Sequence, residues 1–124
     1  MIFGIGTDIV EMERVRRACS RESFLARSFT EQERREALCS EKRLAGDFAV
    51  KEAVTKALGT GFRGISLQEI ECLRDEKGAP YVRLHGRAEA LKRELGISRI
   101  HVSIADTKDY VTAVAVAEGK EETL

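Results

Sequence analysis

The stretch from Lys42 to Gly59 constrains this chain most. It is made of good helix formers, has no proline, and ends on the glycine of Gly59-Thr60-Gly61, so it predicts one long helix. At about 100° per residue, Ala49, Val50, Ala53, Val54, Ala57 and Leu58 share one broad apolar face. Glu52, Thr55, Lys56 and Gly59 fall on the opposite face, within about 60° of one another. An acid, a hydroxyl, an amine and a glycine side by side suit a metal ion and phosphates. The same pattern also reads as an exposed Glu52–Lys56 pair at i, i+4, worth about 0.3–0.5 kcal/mol.

The other segments sort into helices and strands around it. Ile2 to Ile9 reads as a strand with Ile2, Gly4, Gly6 and Asp8 on one face, and two glycines there predict a close approach by another backbone or a ligand. Asp8-Ile9-Val10-Glu11 has capping-box spacing, so a helix over Val10 to Ala18 is expected with Asp8 as its cap. Further helices are expected over Arg21 to Ser28, after the capping box Thr30-Glu31-Gln32-Glu33, and over Arg87 to Leu95. Leu67 to Asp75 and Tyr81 to Leu84 flank a hairpin connection, and Arg99 to Ala105 and Tyr110 to Ala117 are two more strands joined by a polar turn. Helices packed on an antiparallel sheet make this an α+β domain. With 124 residues and no repeat or linker, residues 1–124 form one domain, with a frayed charged tail expected from Glu118 onward.

Composition removes several function classes. Lys plus Arg and Asp plus Glu balance at 21 each, which argues against a globally basic nucleic-acid binder. No apolar run approaches the roughly 20 residues of a membrane helix, and Met1-Ile2-Phe3-Gly4 lacks the basic region of a signal peptide. Cys19, Cys39 and Cys72 are odd in number and widely spaced, so they read as free thiols of a reducing cytoplasm.

Three constellations remain beside the long helix. Gly4-Ile5-Gly6-Thr7-Asp8 places a carboxylate at a strand end beside residues without side chains, and it is not a dinucleotide fingerprint. His101, Ser103 and Ala105 share one strand face that either lines a site or meets water, whereas His85 reads as a plain surface residue. From Glu13 to Arg27 there are five arginines against two glutamates; Arg14, Arg17 and Arg21 at helical spacing form a stripe that suits an acidic partner or a solvated face.

Taken together, these segments resemble the holo-acyl carrier protein synthases, the short class of 4′-phosphopantetheinyl transferases. The resemblance rests on Gly4-Ile5-Gly6-Thr7-Asp8-Ile9, on Phe48-Ala49-Val50-Lys51-Glu52-Ala53 running into Lys56-Ala57-Leu58-Gly59-Thr60-Gly61, and on His101-Val102-Ser103-Ile104-Ala105-Asp106. It spans nearly the whole chain. It implies transfer of 4′-phosphopantetheine from coenzyme A to a serine of apo-acyl carrier protein, with Mg²⁺ as cofactor and adenosine 3′,5′-bisphosphate as the second product. Asp8 and Glu52 match the metal carboxylates, and Asp8, Glu52 and Lys56 are the catalytic candidates. Lys51, Lys56, Gly59 and His101 are the coenzyme A-binding candidates, with Lys51 a candidate for phosphate. The resemblance also implies a homotrimer with shared sites, and it offers the Arg14, Arg17, Arg21 stripe to an acidic carrier protein. The alternatives are a non-catalytic carrier- or coenzyme A-binding module and another Mg²⁺-dependent phosphotransfer or hydrolysis enzyme. One departure stands out: Asp47 occupies a position where the family usually has arginine, so a contact to coenzyme A or the carrier is expected to change. The stretch between Glu33 and Phe48 is also shorter than in many relatives.

Overall fold

The computed structural model describes residues 1–59 and 64–120. In chain order the elements are β1 (Ile2–Glu11), α1 (Met12–Cys19), α2 (Glu22–Ser28), α3 (Glu31–Ala37), α4 (Glu41–Leu58), a 3-10 turn (Leu67–Glu69), β2 (Ile70–Arg74), β3 (Pro80–Leu84), α5 (Gly86–Glu94), β4 (Ile97–Asp106) and β5 (Tyr110–Gly119). Strands β1, β5 and β4 make an antiparallel sheet in that order, and β2 and β3 make a separate hairpin.

Helix α4 lies across one face of the three-stranded sheet, and small residues on both sides let it come close. Gly6 pairs with Ala115 and Gly4 with Ala117, all on that face. A Cβ added at Gly6 would collide with the carbonyl oxygen of Ala53, and one at Gly4 with that of Ala57. The expected close backbone is therefore α4 itself. Its predicted apolar face is the core: Ala49, Val50, Ala53 and Val54 are wholly buried, with Ala57 and Leu58 nearly so.

The other side of α4 is covered as well. Phe24 stands 5.8 Å from Phe48 and 6.0 Å from Phe29, ring centre to ring centre, which ties α2 to α4. Thr30 caps α3 in the predicted reciprocal manner: its hydroxyl accepts from the Glu33 backbone N–H, and the Glu33 carboxylate accepts from the Thr30 N–H. Leu38 and Cys39 both take positive φ, which turns the chain sharply between α3 and α4 and suits the short connection seen in the sequence.

Four expectations change. β1 runs two residues beyond Ile9, to Glu11, so α1 begins at Met12 and Asp8 lies within a strand and caps nothing. Pairing with β5 is the reason, because it continues through Ile9↔Thr112 to Glu11↔Tyr110. Leu67–Glu69 is a 3-10 turn, since Ser66 and Glu69 cap it reciprocally, and β2 starts only at Ile70. β5 reaches Gly119, so Glu118 belongs to the sheet; of the expected tail, residues 121–124 lie outside the described residues, as do Thr60 and Gly61. Cys19, Cys39 and Cys72 are free thiols.

Candidate active site

Strand β1 and helix α4 bring together residues 44 positions apart. Asp8 shares the helix-facing side of β1 with Gly6, and α4 lies on that side with Glu52 and Lys56 one turn apart. The Lys56 ammonium donates to the Thr7 carbonyl oxygen at 2.9 Å and to Asp8 Oδ1 at 3.3 Å. The Asp8 side chain is only 16% exposed, whereas that of Lys56 is 56% exposed. Glu52 is half-buried. Burial, then the nearby charge of Asp8, holds its carboxyl above the usual carboxylate range, and Lys56 pulls the other way.

Asp8 and Glu52 line one cleft of about 500 Å³ together with Arg14, Phe24, Phe48 and Tyr110. Two carboxylates that repel each other at a cleft wall are a natural seat for a hard cation. Mg²⁺ takes one or two protein carboxylates and fills its remaining positions with substrate phosphate and water. Asp8 and Glu52 offer two such carboxylates on one cleft, and among the described residues no group of three or more His, Cys, Asp or Glu is placed to hold a metal.

The other candidates separate. Lys51, expected to reach a phosphate, is wholly buried, and its three N–H donors go to Glu33 Oε1 (2.8 Å), Leu67 O (2.9 Å) and Ile70 O (2.7 Å). It has no donor left for a ligand, so this expectation is corrected: Lys51 is a structural cation that clips α3 and β2 to α4. Thr55 is also turned inward, with its hydroxyl donating to Lys51 O at 2.8 Å. Gly59 closes α4 in the left-handed conformation, φ 77°, with open space where a Cβ would sit.

His101 is exposed on the opposite side of the sheet from Asp8. It pairs with Val116, which pairs with Ile5, three residues from Asp8 and so of opposite parity. Its Nε2 lies 2.9 Å from Glu118 Oε1. His85 is exposed, as expected, and is tied down at one end: its Nε2 lies 3.0 Å from Glu71, whose other oxygen accepts from the Thr30 hydroxyl at 2.6 Å.

The arginine stripe is broken. α1 ends at Cys19 and Arg21 precedes α2, so helical spacing does not carry Arg21 into line with Arg14 and Arg17. Arg14 lines the cleft, and Arg17 donates to Glu13 at 3.3 Å. Asp47 is buried, with Oδ1 2.9 Å from Arg74 Nη1 and Oδ2 3.8 Å from Arg43 Nε. The charge reversal read in the sequence is thus answered inside the fold by Arg74 of β2, and the Asp47 side chain is wholly buried.

Sequence reasoning missed Phe24, Phe48 and Tyr110 as cleft walls. Nothing local marks them, because the wall forms only where α2, α4 and β5 meet.

The chain is similar to known proteins along nearly its whole length. A family model described as the 4′-phosphopantetheinyl transferase superfamily matches residues 4–115. A holo-[acyl-carrier-protein] synthase of Lachnoclostridium phytofermentans is 53% identical over 118 residues, 95% of this chain and 97% of that protein. The crystal structure of a holo-[acyl-carrier-protein] synthase from Neisseria meningitidis superposes with a TM-score of 0.88 at 39% identity, covering 95% of this chain and 99% of that one. One from Helicobacter pylori, in complex with coenzyme A, superposes with a TM-score of 0.83 at 29% identity over 92% of this chain and 99% of that one.

Proposed function

The chain belongs to the holo-acyl carrier protein synthases of the 4′-phosphopantetheinyl transferase superfamily, and on that premise we propose that Asp8, Glu52 and Lys56 carry an Mg²⁺-dependent transfer from coenzyme A to a serine of an apo-acyl carrier protein. Asp8 of β1 and Glu52 of α4 line one cleft, and Lys56 reaches Asp8 from one turn further along α4; this juxtaposition supports the reading most directly. The serine oxygen bonds to the phosphorus that bears pantetheine, and the P–O bond to adenosine 3′,5′-bisphosphate breaks. The serine proton leaves and the bisphosphate departs with the bonding pair.

Reactions of this type depend mainly on positioning and charge stabilisation. Asp8 and Glu52 would hold Mg²⁺, which supplies Lewis-acid neutralisation of the diphosphate. Lys56, the most exposed of the three, is placed to bind phosphate oxygens as charge develops on the leaving group. Arg14 in the same cleft adds positive charge on the side from which an acidic carrier would approach.

His101 belongs to the site only if the site is shared. Its sheet face also carries Ile5 at 60% and Ile9 at 66% exposure, with Phe3 and Tyr110 exposed as well. An apolar face of that kind suits contact with copies of the chain, and a neighbour's sheet would bring a histidine to a cleft whose own histidine points away. We therefore read the working form as a closed homotrimer. The three free thiols favour a reducing, cytoplasmic setting, and no described helix is long and apolar enough to cross a membrane.

The test is intact-mass analysis of an apo-acyl carrier protein incubated with the chain, coenzyme A and Mg²⁺. A phosphopantetheine adduct that needs all components supports the reading. Phosphate release without an adduct, or no change in either, overturns it.

A further inference from the structure

Lys56 has a second relationship to the site besides its expected contact with phosphate. Its ammonium is seated on two successive residues of β1, the Thr7 carbonyl and the Asp8 carboxylate. It comes from the helix face that carries Glu52, one turn earlier. Asp8, one of the two carboxylates that would hold a divalent ion, is thus already paired with a cation of the protein itself.

We infer that Lys56 is an internal counter-ion that competes with the divalent cation for Asp8, so that metal binding and diphosphate binding assist each other. The inference rests on the two-carboxylate metal reading given above. A cation that takes Asp8 and Glu52 must either displace the Lys56 ammonium or sit beside a like charge, and both weaken its binding. A bound diphosphate gives the ammonium other oxygens to hold and frees Asp8 for the cation. By linkage, the cation must then raise diphosphate affinity by the same factor. Lys56 can make this exchange because its side chain is more than half exposed and swings without breaking the core.

The experiment is Mn²⁺ titration of the full-length chain without coenzyme A, followed by the electron paramagnetic resonance signal of free Mn²⁺. Wild type is compared with Lys56→Gln, which removes the charge, and Lys56→Arg, which keeps it. Lys56→Gln should bind Mn²⁺ about five- to tenfold more tightly than wild type, and Lys56→Arg should stay within about twofold of it. A thermal melt of each variant checks folding. Equal or weaker Mn²⁺ binding by Lys56→Gln overturns the inference. If that happens while coenzyme A still promotes Mn²⁺ binding that Asp8→Asn abolishes, the metal reading survives and only the counter-ion falls. If no variant takes up Mn²⁺ even with coenzyme A, both fall.

Discussion

Lys51 Nζ stands 2.8 Å from Glu33 Oε1, and both side chains are wholly buried. The carboxylate is fully used, since Glu33 Oε1 also accepts from Thr30 N and Oε2 accepts from Cys72 N. Lys51 is adjacent in sequence to Glu52 but is turned into the core, so the pair fixes the rotation of α4 from behind the site.

Removing one partner leaves an uncompensated buried charge. Lys51→Met and Glu33→Gln should each destabilise the chain by about 3–5 kcal/mol. Urea unfolding measures this, and steady-state kinetics on the folded fraction should show a near-normal Michaelis constant for coenzyme A. A stable Lys51→Met protein with selectively weakened coenzyme A binding would restore a phosphate-binding role.

Asp8→Ala and Glu52→Ala should each lower transfer by roughly 10²-fold or more, by analogy with loss of a preorganised stabilising group. Neither should unfold the chain. Asp8 caps no helix, and Glu52→Ala removes a carboxylate that burial disfavours. Rates measured across a range of Mg²⁺, beside thermal melts, check both halves. Near wild-type rates at limiting Mg²⁺ contradict the assignment.

Asp47 gives a pH dependence of stability. Burial pushes its carboxyl up from an ordinary 3.8 to about 6, although Arg74 and Arg43 pull it down. A raised carboxyl takes up a proton on folding, so its contribution is most favourable below about pH 4 and is lost as pH rises through about 6. The full swing is roughly 3 kcal/mol. Urea unfolding at pH 5 and pH 7.5 should show a larger loss of stability on raising pH in wild type than in Asp47→Asn. An equal loss in both removes Asp47 as the cause.

Ile5 and Ile9 share the exposed sheet face with Thr7 between them, and Ile9 also lines the cleft. Ile5→Asp, outside the cleft, should leave the monomer folded, because its side chain already meets solvent, and should abolish assembly and transfer together. Light scattering coupled to size exclusion reads the mass of wild type and variant. A wild-type monomer of 13.8 kDa that turns over at full rate excludes the shared site.

The arginines divide by position. Arg21→Glu should raise the Michaelis constant for carrier protein, leave that for coenzyme A unchanged, and have less effect as salt rises, because exposed charges act through screened encounter. Arg14→Glu should raise both constants, since Arg14 lines the cleft that holds Asp8. Identical behaviour of the two variants overturns the division.

The sequence alone determined the long helix, its apolar face, the glycines that announce a close approach by another backbone or a ligand, and the order in which Asp8, Glu52 and Lys56 occur. These follow from local rules: the helical period sorts α4, strand parity sorts β1, and a missing Cβ announces close approach. What covers each face was decided only by the tertiary structure. The wheel that set Glu52, Thr55 and Lys56 together cannot see that α4 is packed on both sides, which draws Thr55 inward and leaves Lys56 outside. The capping spacing at Asp8 lost to pairing with β5, whose ladder of backbone hydrogen bonds continues through the would-be first turn of helix. Lys51 found Glu33 and Asp47 found Arg74, partners 18 and 27 positions away in the chain, and His101 was set on the side opposite Asp8 by strand register. Such pairings depend on register and packing between distant segments, and no local period encodes them.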